Sequence, residues 1–386
     1  MVIGILDGQT IQALIFAKKL KQKGHKVILF CSEKLSYGYF TRYAFKKILS
    51  PSSETEIEEY HGFILDYLKQ NNIDVLVPMN DYSAKYLSEY KKDLESKVSF
   101  VAPDYDIFMR GYDKNQLMQV CKESSFPHPQ TIDLKKIITD DDKLKFKFPA
   151  LIKPNETTGA RGFTMIHSFD ELNSVYPGLK NQFGSCHLQQ YIPNGGRQFK
   201  VQILVYNNNT LATSVIEKHR FYPIKGGSSC FNSTIINDDL VSLCESVLKK
   251  IQWQGFADFD LIEDPRDGSI LIMEINPRVP ACIKAAVVSG IDYPNAIVDV
   301  SVNNTTDKFV YKPGQYLRYF SMDFLWLLKS ENKLKHIGKW FNKMFSSNHF
   351  LQDGDWSDPI PFIIGSTSGL LKQLNPDFRK QKKGMN

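Results

Sequence analysis

Apolar and polar positions change period along this chain, and the change divides it. Over the first hundred residues, short apolar runs at 2–6, 26–30, 75–77 and 98–101 alternate with stretches of helical period. From about Thr10 to Lys23, Ile11, Leu14 and Ile15 fall on one helical face, and Gly24 supplies a stop. Helices are also expected from about Glu56 to Gln70 and from Tyr82 to Lys92. This alternation predicts a parallel sheet wound in the Rossmann manner. The loop after the first strand reads D-G-Q-T and lacks G-x-G-x-x-G, so no dinucleotide cofactor is indicated.

From about Asp106 the texture differs. Asp113-Lys114 opens a helix to about Ser124, and F-P-H-P-Q breaks it. Apolar runs at 148–154, 187–193, 198–206 and 211–217 then predict antiparallel sheets. Two further runs, F-A-D-F-D-L at 256–261 and L-I-M-E-I-N-P-R at 271–278, are joined by D-P-R-D-G and read as a β-hairpin. With Asp260 opposite Glu274, the alternation of strand side chains puts Asp258, Asp260, Glu274 and Asn276 on one face. Ala257, Phe259, Leu261, Leu271, Met273 and Ile275 take the other.

Helices are expected at 281–289 and 293–302, and a helical stretch from Asp323 to Phe345. The latter carries Leu334, Ile337, Phe341, Met344 and Phe345 on one side, with Lys333, Lys335, Lys339 and Lys343 among them. The preferred reading packs that side on the preceding domain and leaves the lysines solvated. Peripheral contact of 323–345 with an anionic membrane surface is the alternative. R-K-Q-K-K-G-M-N at the end reads as a frayed basic tail. The fold class is therefore α/β followed by α+β. Its expected parts are a Rossmann-like domain over 1–105, a two-part domain over 106–305 divided near 190, and a helical extension over 306–386.

A chain of 386 residues, 42% hydrophobic and 23% charged, suits two or three ordinary globular domains. Its net charge of +6 is mild and its basic residues are not massed, so nucleic acid is not an expected partner. Six scattered cysteines without C-x-x-C read as reduced thiols in a cytoplasmic protein. The opening M-V-I-G-I-L-D reads as a strand and not a signal peptide, and no apolar run is long enough to span a bilayer.

Carboxylates stacked on one face of a buried hairpin need positive charge among them. An oxygen-only set of this kind suits Mg²⁺ (or Mn²⁺) completed by substrate phosphates, and so a metal–nucleotide site. Lys153, ending an apolar strand, leads into the loop N-E-T-T-G-A-R-G with Gly159, Arg161 and Gly162, a combination suited to phosphate oxygens. Q-Q-Y-I at 189–192 suits a hinge whose backbone pairs with an adenine edge. E-K-H-R at 217–220 and K-G-G-S-S-C at 225–230 supply cationic and small residues. No third member of a triad is evident in the sequence beside His219 and Cys230, so a nucleophilic role is not favoured. Arg278, just past the hairpin carboxylates, is placed to stabilise a transferring phosphoryl group or an acyl phosphate.

With these residues in order, the chain from about Asp106 to Val302 resembles the ATP-grasp superfamily, of the carboxylate–amine or thiol ligase type that includes biotin carboxylase and carbamoyl phosphate synthetase. The amino-terminal α/β domain is similar to the one such enzymes carry in front. The resemblance implies a lid part over about 113–190 and a metal-binding part over about 191–305. It implies that Lys114 and Lys153 contact nucleotide phosphates and that the loop from Glu156 to Gly162 closes over them. Gln189, Gln190, Tyr191 and Ile192 would form the adenine hinge, while Asp260, Glu274 and Asn276 hold Mg²⁺. Arg278 would serve the acyl-phosphate step, and Lys218 or Arg220 would meet the γ-phosphate or the substrate carboxylate. Asp258 has no assigned family role. Gln190 stands where the family often has Glu, and the phosphate loop has fewer glycines than many members.

The resemblance implies a ligase using ATP and Mg²⁺ to couple a small-molecule carboxylate to an amine, in an assembly that includes a homodimer among its options. A bicarbonate-activating enzyme and a non-enzymatic nucleotide-binding protein are the competing readings. V-P-A-C after Arg278 does not resemble biotin carboxylase at that point. Acceptor choice is expected to lie in the first domain, in Tyr37–Tyr43 and Asn80–Ser83, and in Phe221–Cys230.

Overall fold

A computed structural model of the chain describes residues 1–156, 162–224, 227–331 and 333–374. Gly159 and Arg161 of the expected phosphate loop lie outside the described residues. The first domain holds β1 (Val2–Leu6), β2 (Lys26–Cys31), β3 (Lys46–Leu49) and β4 (Val75–Pro78), all parallel in the order β3-β2-β1-β4. Ile3, Ile5, Val27, Leu29 and Val77 are fully buried, as expected of strands covered on both faces. The strand expected at 98–101 forms a single bridge, Val75 to Ser99.

A second sheet comprises β5 (Thr131–Asp133), β6 (Ala150–Pro154), β7 (Thr164–Ile166) and β8 (Cys186–Gln190), antiparallel in the order β5-β8-β6-β7. It has its own small core of Ala150, Ile152, Ile166, Leu172 and Leu188 under the helix Phe169–Phe183. The helix Lys114–Glu123, grouped by sequence with this lid, sends Leu117, Met118 and Cys121 into the core of the third sheet instead.

That third sheet has seven strands: β9 (Gln198–Tyr206), β10 (Asn209–Tyr222), β11 (Ser228–Ile235), β12 (Gly255–Glu263), β13 (Ile270–Asn276), β14 (Tyr316–Arg318) and β15 (His349–Leu351). Their order is β13-β12-β9-β10-β11-β14-β15. One face packs on the helices Tyr105–Tyr112, Lys114–Glu123 and Asp238–Ile251. The hairpin β12–β13 takes the expected register, with Asp258 opposite Asn276 and Asp260 opposite Glu274. Beyond Asp260 the register shifts, and Leu261 opposes Ile272. Ile272 therefore enters the core, not Leu271 or Met273 as strict alternation required.

The carboxy-terminal segment is less purely helical than expected, since it supplies β14 and β15 to the edge of this sheet. It also returns to the first domain: Lys18 Nζ lies 2.6 Å from Asp355, Thr41 Oγ1 donates to Asp358 at 2.5 Å, and the Tyr37 and Tyr319 hydroxyls meet at 3.0 Å. The expected helix 323–345 is two, Phe320–Lys329 and Lys333–Met344. Trp340 seats the second against Phe320 and the Arg318 guanidinium. That rotation turns Leu334, Ile337 and Phe341 outward, so the expected packing of their side does not occur. Among the described residues, no helix is long and apolar enough to cross a membrane.

Candidate active site

The face of the third sheet away from its helices carries the polar cluster. On β9, Phe199, Val201 and Ile203 point into the core, so Lys200 and Gln202 point the other way. Pairing sets Lys200 beside Asp260 and Gln202 beside Asp258. Lys200 Nζ lies 2.5 Å from Asp258 and 2.9 Å from Asp260. Lys218, from β10, binds the other oxygen of Asp260. Asn276 Nδ2 donates to Asp260 at 3.0 Å, and Lys114 Nζ lies 3.4 Å from Glu274.

These contacts set the charges. Burial alone pushes the Asp260 carboxyl up, but Lys200 and Lys218 outweigh it and hold the group well below its ordinary value. For Asp258, burial prevails over Lys200 and the carboxyl is raised. Burial disfavours the Lys200 ammonium, yet the two aspartates reverse the balance and raise it. Asp260 and Lys200 are thus held ionised together.

The four-stranded antiparallel sheet brings a second cationic group. Lys153 is buried on β6, its Nζ donating to Gln189 Oε1 at 2.5 Å and lying 4.9 Å over the Phe163 ring. Burial drives it down to about 8, with Lys114 adding to the effect and Glu274 opposing it. His187 lies opposite Lys153 on β8 and shares Nδ1 with Asn155 Oδ1 at 2.9 Å. Burial, then Lys153 and Lys114, push the imidazole well below its usual range, so it is neutral. Asp113 caps the helix of Lys114 through Gln116 N–H at 2.9 Å, and Lys114 N–H donates to Asn155 O at 3.2 Å. The second sheet and the polar face of the third are joined through these residues. At Gln190 and Tyr191 the N–H groups donate to Gln130 O and Pro149 O, and Ile192 is buried.

Gly162 lies at φ +75°, where the described residues resume after the loop read as phosphate-binding, and a Cβ there would meet the Phe183 ring at 2.8 Å and Pro154 at 2.9 Å. Gly162→Ala is expected to cost about 1–3 kcal/mol through backbone strain and displaced neighbours. A lower thermal midpoint together with weaker nucleotide binding is the result to look for.

The first domain reaches the same place. Asp81, capped into its helix by Asn80, lies 3.3 Å from Arg278 Nε. Arg278 also touches Asn276 Oδ1 at 3.3 Å and lies 3.9 Å from Asp258. Lys85 pairs with Glu156 at 2.8 Å, tying the start of the loop to this domain. Of the segments read as acceptor-selecting, Asn80–Ser83 is the one that meets Arg278.

Arg220 is placed differently from Lys218. The register shifts on both sides of it, and its guanidinium pairs with Asp323 at 3.1 Å, stacked 4.0 Å from Phe231 and 4.8 Å from Trp326. It is engaged by the carboxy-terminal segment and not by the carboxylate face. His219 shares a 2.7 Å hydrogen bond with Ser233 Oγ, and burial and then Asp323 raise the Cys230 thiol, which does not favour a nucleophile.

Sequence reasoning missed Lys200 and His187, while Asp81 fell within the segment read as acceptor-selecting and Asn155 at the head of the loop read as phosphate-binding, neither with a role of its own. Lys200 was detectable as the polar member between buried Phe199 and Val201. His187 had no local signal, because only strand pairing brings it to Lys153.

Residues 112–282 match the model of the ATP-grasp domain. A D-aspartate ligase from Enterococcus faecium is 24% identical over 253 residues, covering 60% of this chain. The chain spans 59% of that relative's length. The complex of biotin carboxylase with β,γ-ATP from Campylobacter jejuni superposes with a TM-score of 0.68 at 15% identity, covering 81% of this chain and 74% of that one. An L-amino acid ligase from Bacillus licheniformis gives 0.62 at 13% identity, over 82% and 78%. These structural likenesses establish the fold.

Proposed function

We propose that this protein is an ATP-dependent ligase that activates a substrate carboxylate as an acyl phosphate and couples it to an amine. The observation that carries the proposal is the face holding Asp260, Glu274 and Asn276 inside a ring of cations, Lys114, Lys200, Lys218 and Arg278. A triphosphate bound on that face meets positive charge on every side.

The donor set fits Mg²⁺. Asp260 and Glu274 face each other across the hairpin, Asn276 lies against Asp260, and Glu274 is partly open to solvent. Two carboxylates and an amide leave room for phosphate oxygens, the usual pattern for this ion. When bound, Mg²⁺ supplies charge neutralisation for the phosphates.

Lys153 and Lys114 hold phosphate oxygens in line, and the backbone at Tyr191 and Ile192 reads the adenine edge. A carboxylate oxygen attacks the γ-phosphorus, and the bond to the β-bridging oxygen breaks to release ADP. The amine then attacks the acyl carbon, phosphate leaves, and the amine loses a proton. Lys218 and Arg278 screen the charge that passes between these groups. The adjacent Asp81 and Arg278 favour a substrate with both an ammonium and a carboxylate, and the D-aspartate ligase relative supports an amino-acid acid or acceptor.

ADP formation with pools of carboxylic acids and amines tests this reading. Turnover that needs one of each supports it, whereas turnover with bicarbonate alone favours a carboxylase.

A pH dependence follows from Lys153. Its value near 8 in the free protein is restored upward when phosphates approach, so binding above pH 8 takes up a proton. ATP affinity is expected to fall by up to about tenfold per pH unit above 8. Calorimetry in buffers of different ionisation enthalpy reads the proton directly, and Lys153→Met should remove it.

A further inference from the structure

The helices Phe320–Lys329 and Lys333–Met344 leave a large apolar surface uncovered. Leu334 is 88% exposed and Phe345 84%, and Ile337, Phe341, Phe324 and Leu328 are each more than 40% exposed. Leu334, Ile337 and Phe341 recur at the i, i+3, i+7 spacing of one helical face. The patch is continuous across the two helices, because the buried Trp340 ring touches Phe324 on one side and Phe341 on the other. An isolated exposed leucine is unremarkable, but six large apolar side chains on adjoining helices mark an interaction surface.

The charges around the patch choose its partner. Lys329, Lys333, Lys335 and Lys339 are exposed beside it. Residues 329–345 hold five lysines and a single acid, Glu331. Among the described residues, no acid pairs with any of those four. A second copy of this face would bring the same cations together, whereas an anionic lipid surface satisfies both the lysines and the apolar stripe. We infer that these two helices dock the protein on an anionic membrane surface, with Leu334, Ile337 and Phe341 in the acyl boundary and the lysines among the headgroups. The enzyme would then act beside that surface without spanning it.

Flotation of the full chain with phosphatidylcholine vesicles containing about a third phosphatidylserine tests the inference. Binding is expected at low salt, weaker by about tenfold or more on pure phosphatidylcholine or at high salt, and lost in L334E/F341E. Both replaced side chains are solvent-facing, so an unchanged thermal midpoint verifies that the variant is folded. Absence of binding to the anionic vesicles at low salt overturns the inference, as does unaltered binding by the variant. Vesicle-independent dimerisation that the same two substitutions abolish would assign the patch to a second copy and would overturn it equally.

Discussion

Glu274→Ala is expected to lower ATP turnover by about a thousandfold while leaving the fold intact. A metal held at phosphate oxygens contributes several kcal/mol to the stabilisation of developing charge, and about 4 kcal/mol corresponds to a thousandfold. Glu274 lies across from Asp260, and its side chain is about a third exposed, so truncation leaves no core cavity. Its ion-pair partner Lys114 stays anchored through its N–H to Asn155 O. The expected signature is an unchanged thermal midpoint with ADP formation reduced to near background, and a loss of magnesium dependence in what remains. A variant retaining a tenth or more of the wild-type rate removes Glu274 from the metal set.

Asp323→Ala is expected to have the largest effect on stability. Asp323 is fully buried and lies 3.1 Å from Arg220 and 3.2 Å from the fully buried Arg318. Arg318 Nη2 finds one further acceptor, Trp340 O at 3.0 Å, and both guanidiniums stack on the Phe231 ring. The ring contacts soften the desolvation of the cations but do not neutralise them. Removing the carboxylate between the fully buried Arg318 and the partly buried Arg220 leaves uncompensated charge and costs about 3–5 kcal/mol. Chemical denaturation should show a lower midpoint with little change in slope. Arg220→Met in the same background is expected to recover part of the loss, since it removes one of the stranded charges. A full-strength midpoint in Asp323→Ala alone would show that the cluster is solvated in solution.

The same cluster shows where sequence reasoning reached its limit. Arg220 was read as a cation for the γ-phosphate or the substrate carboxylate, but its partner is Asp323, a hundred residues away, which arrives because β14 joins the sheet beside β11. Strand β11 itself reads S-S-C-F-N-S-T-I, and from Cys230 to Thr234 every residue is buried on one face or the other, so no alternation announced it. The hairpin was legible for the opposite reason. Three carboxylates and an amide alternating with apolar residues force one register, since a slip of one residue would turn the charges into the apolar core. That logic failed only past the bulge after Asp260, where an extra residue reversed the phase and put Ile272 in the core. Strands β1, β2 and β4 of the first domain were equally legible, because they are mostly apolar, whereas β3 opens with Lys46 and Lys47 and was not expected. The outward face of 333–344 was not, because apolar spacing does not say which of two apolar sides a helix buries. Trp340 decided it.

The central claim is that a carboxylate is activated by phosphoryl transfer on the Asp260–Glu274 face. The most direct test incubates the protein with ATP, Mg²⁺, hydroxylamine and pools of carboxylic acids, and measures hydroxamate with phosphate. Hydroxylamine intercepts an acyl phosphate without the true amine being known. The account predicts hydroxamate that requires a particular acid, appears in proportion to phosphate, and vanishes in Glu274→Ala. Tight ATP binding with no hydroxamate from any acid pool, or hydroxamate undiminished in Glu274→Ala, would contradict it.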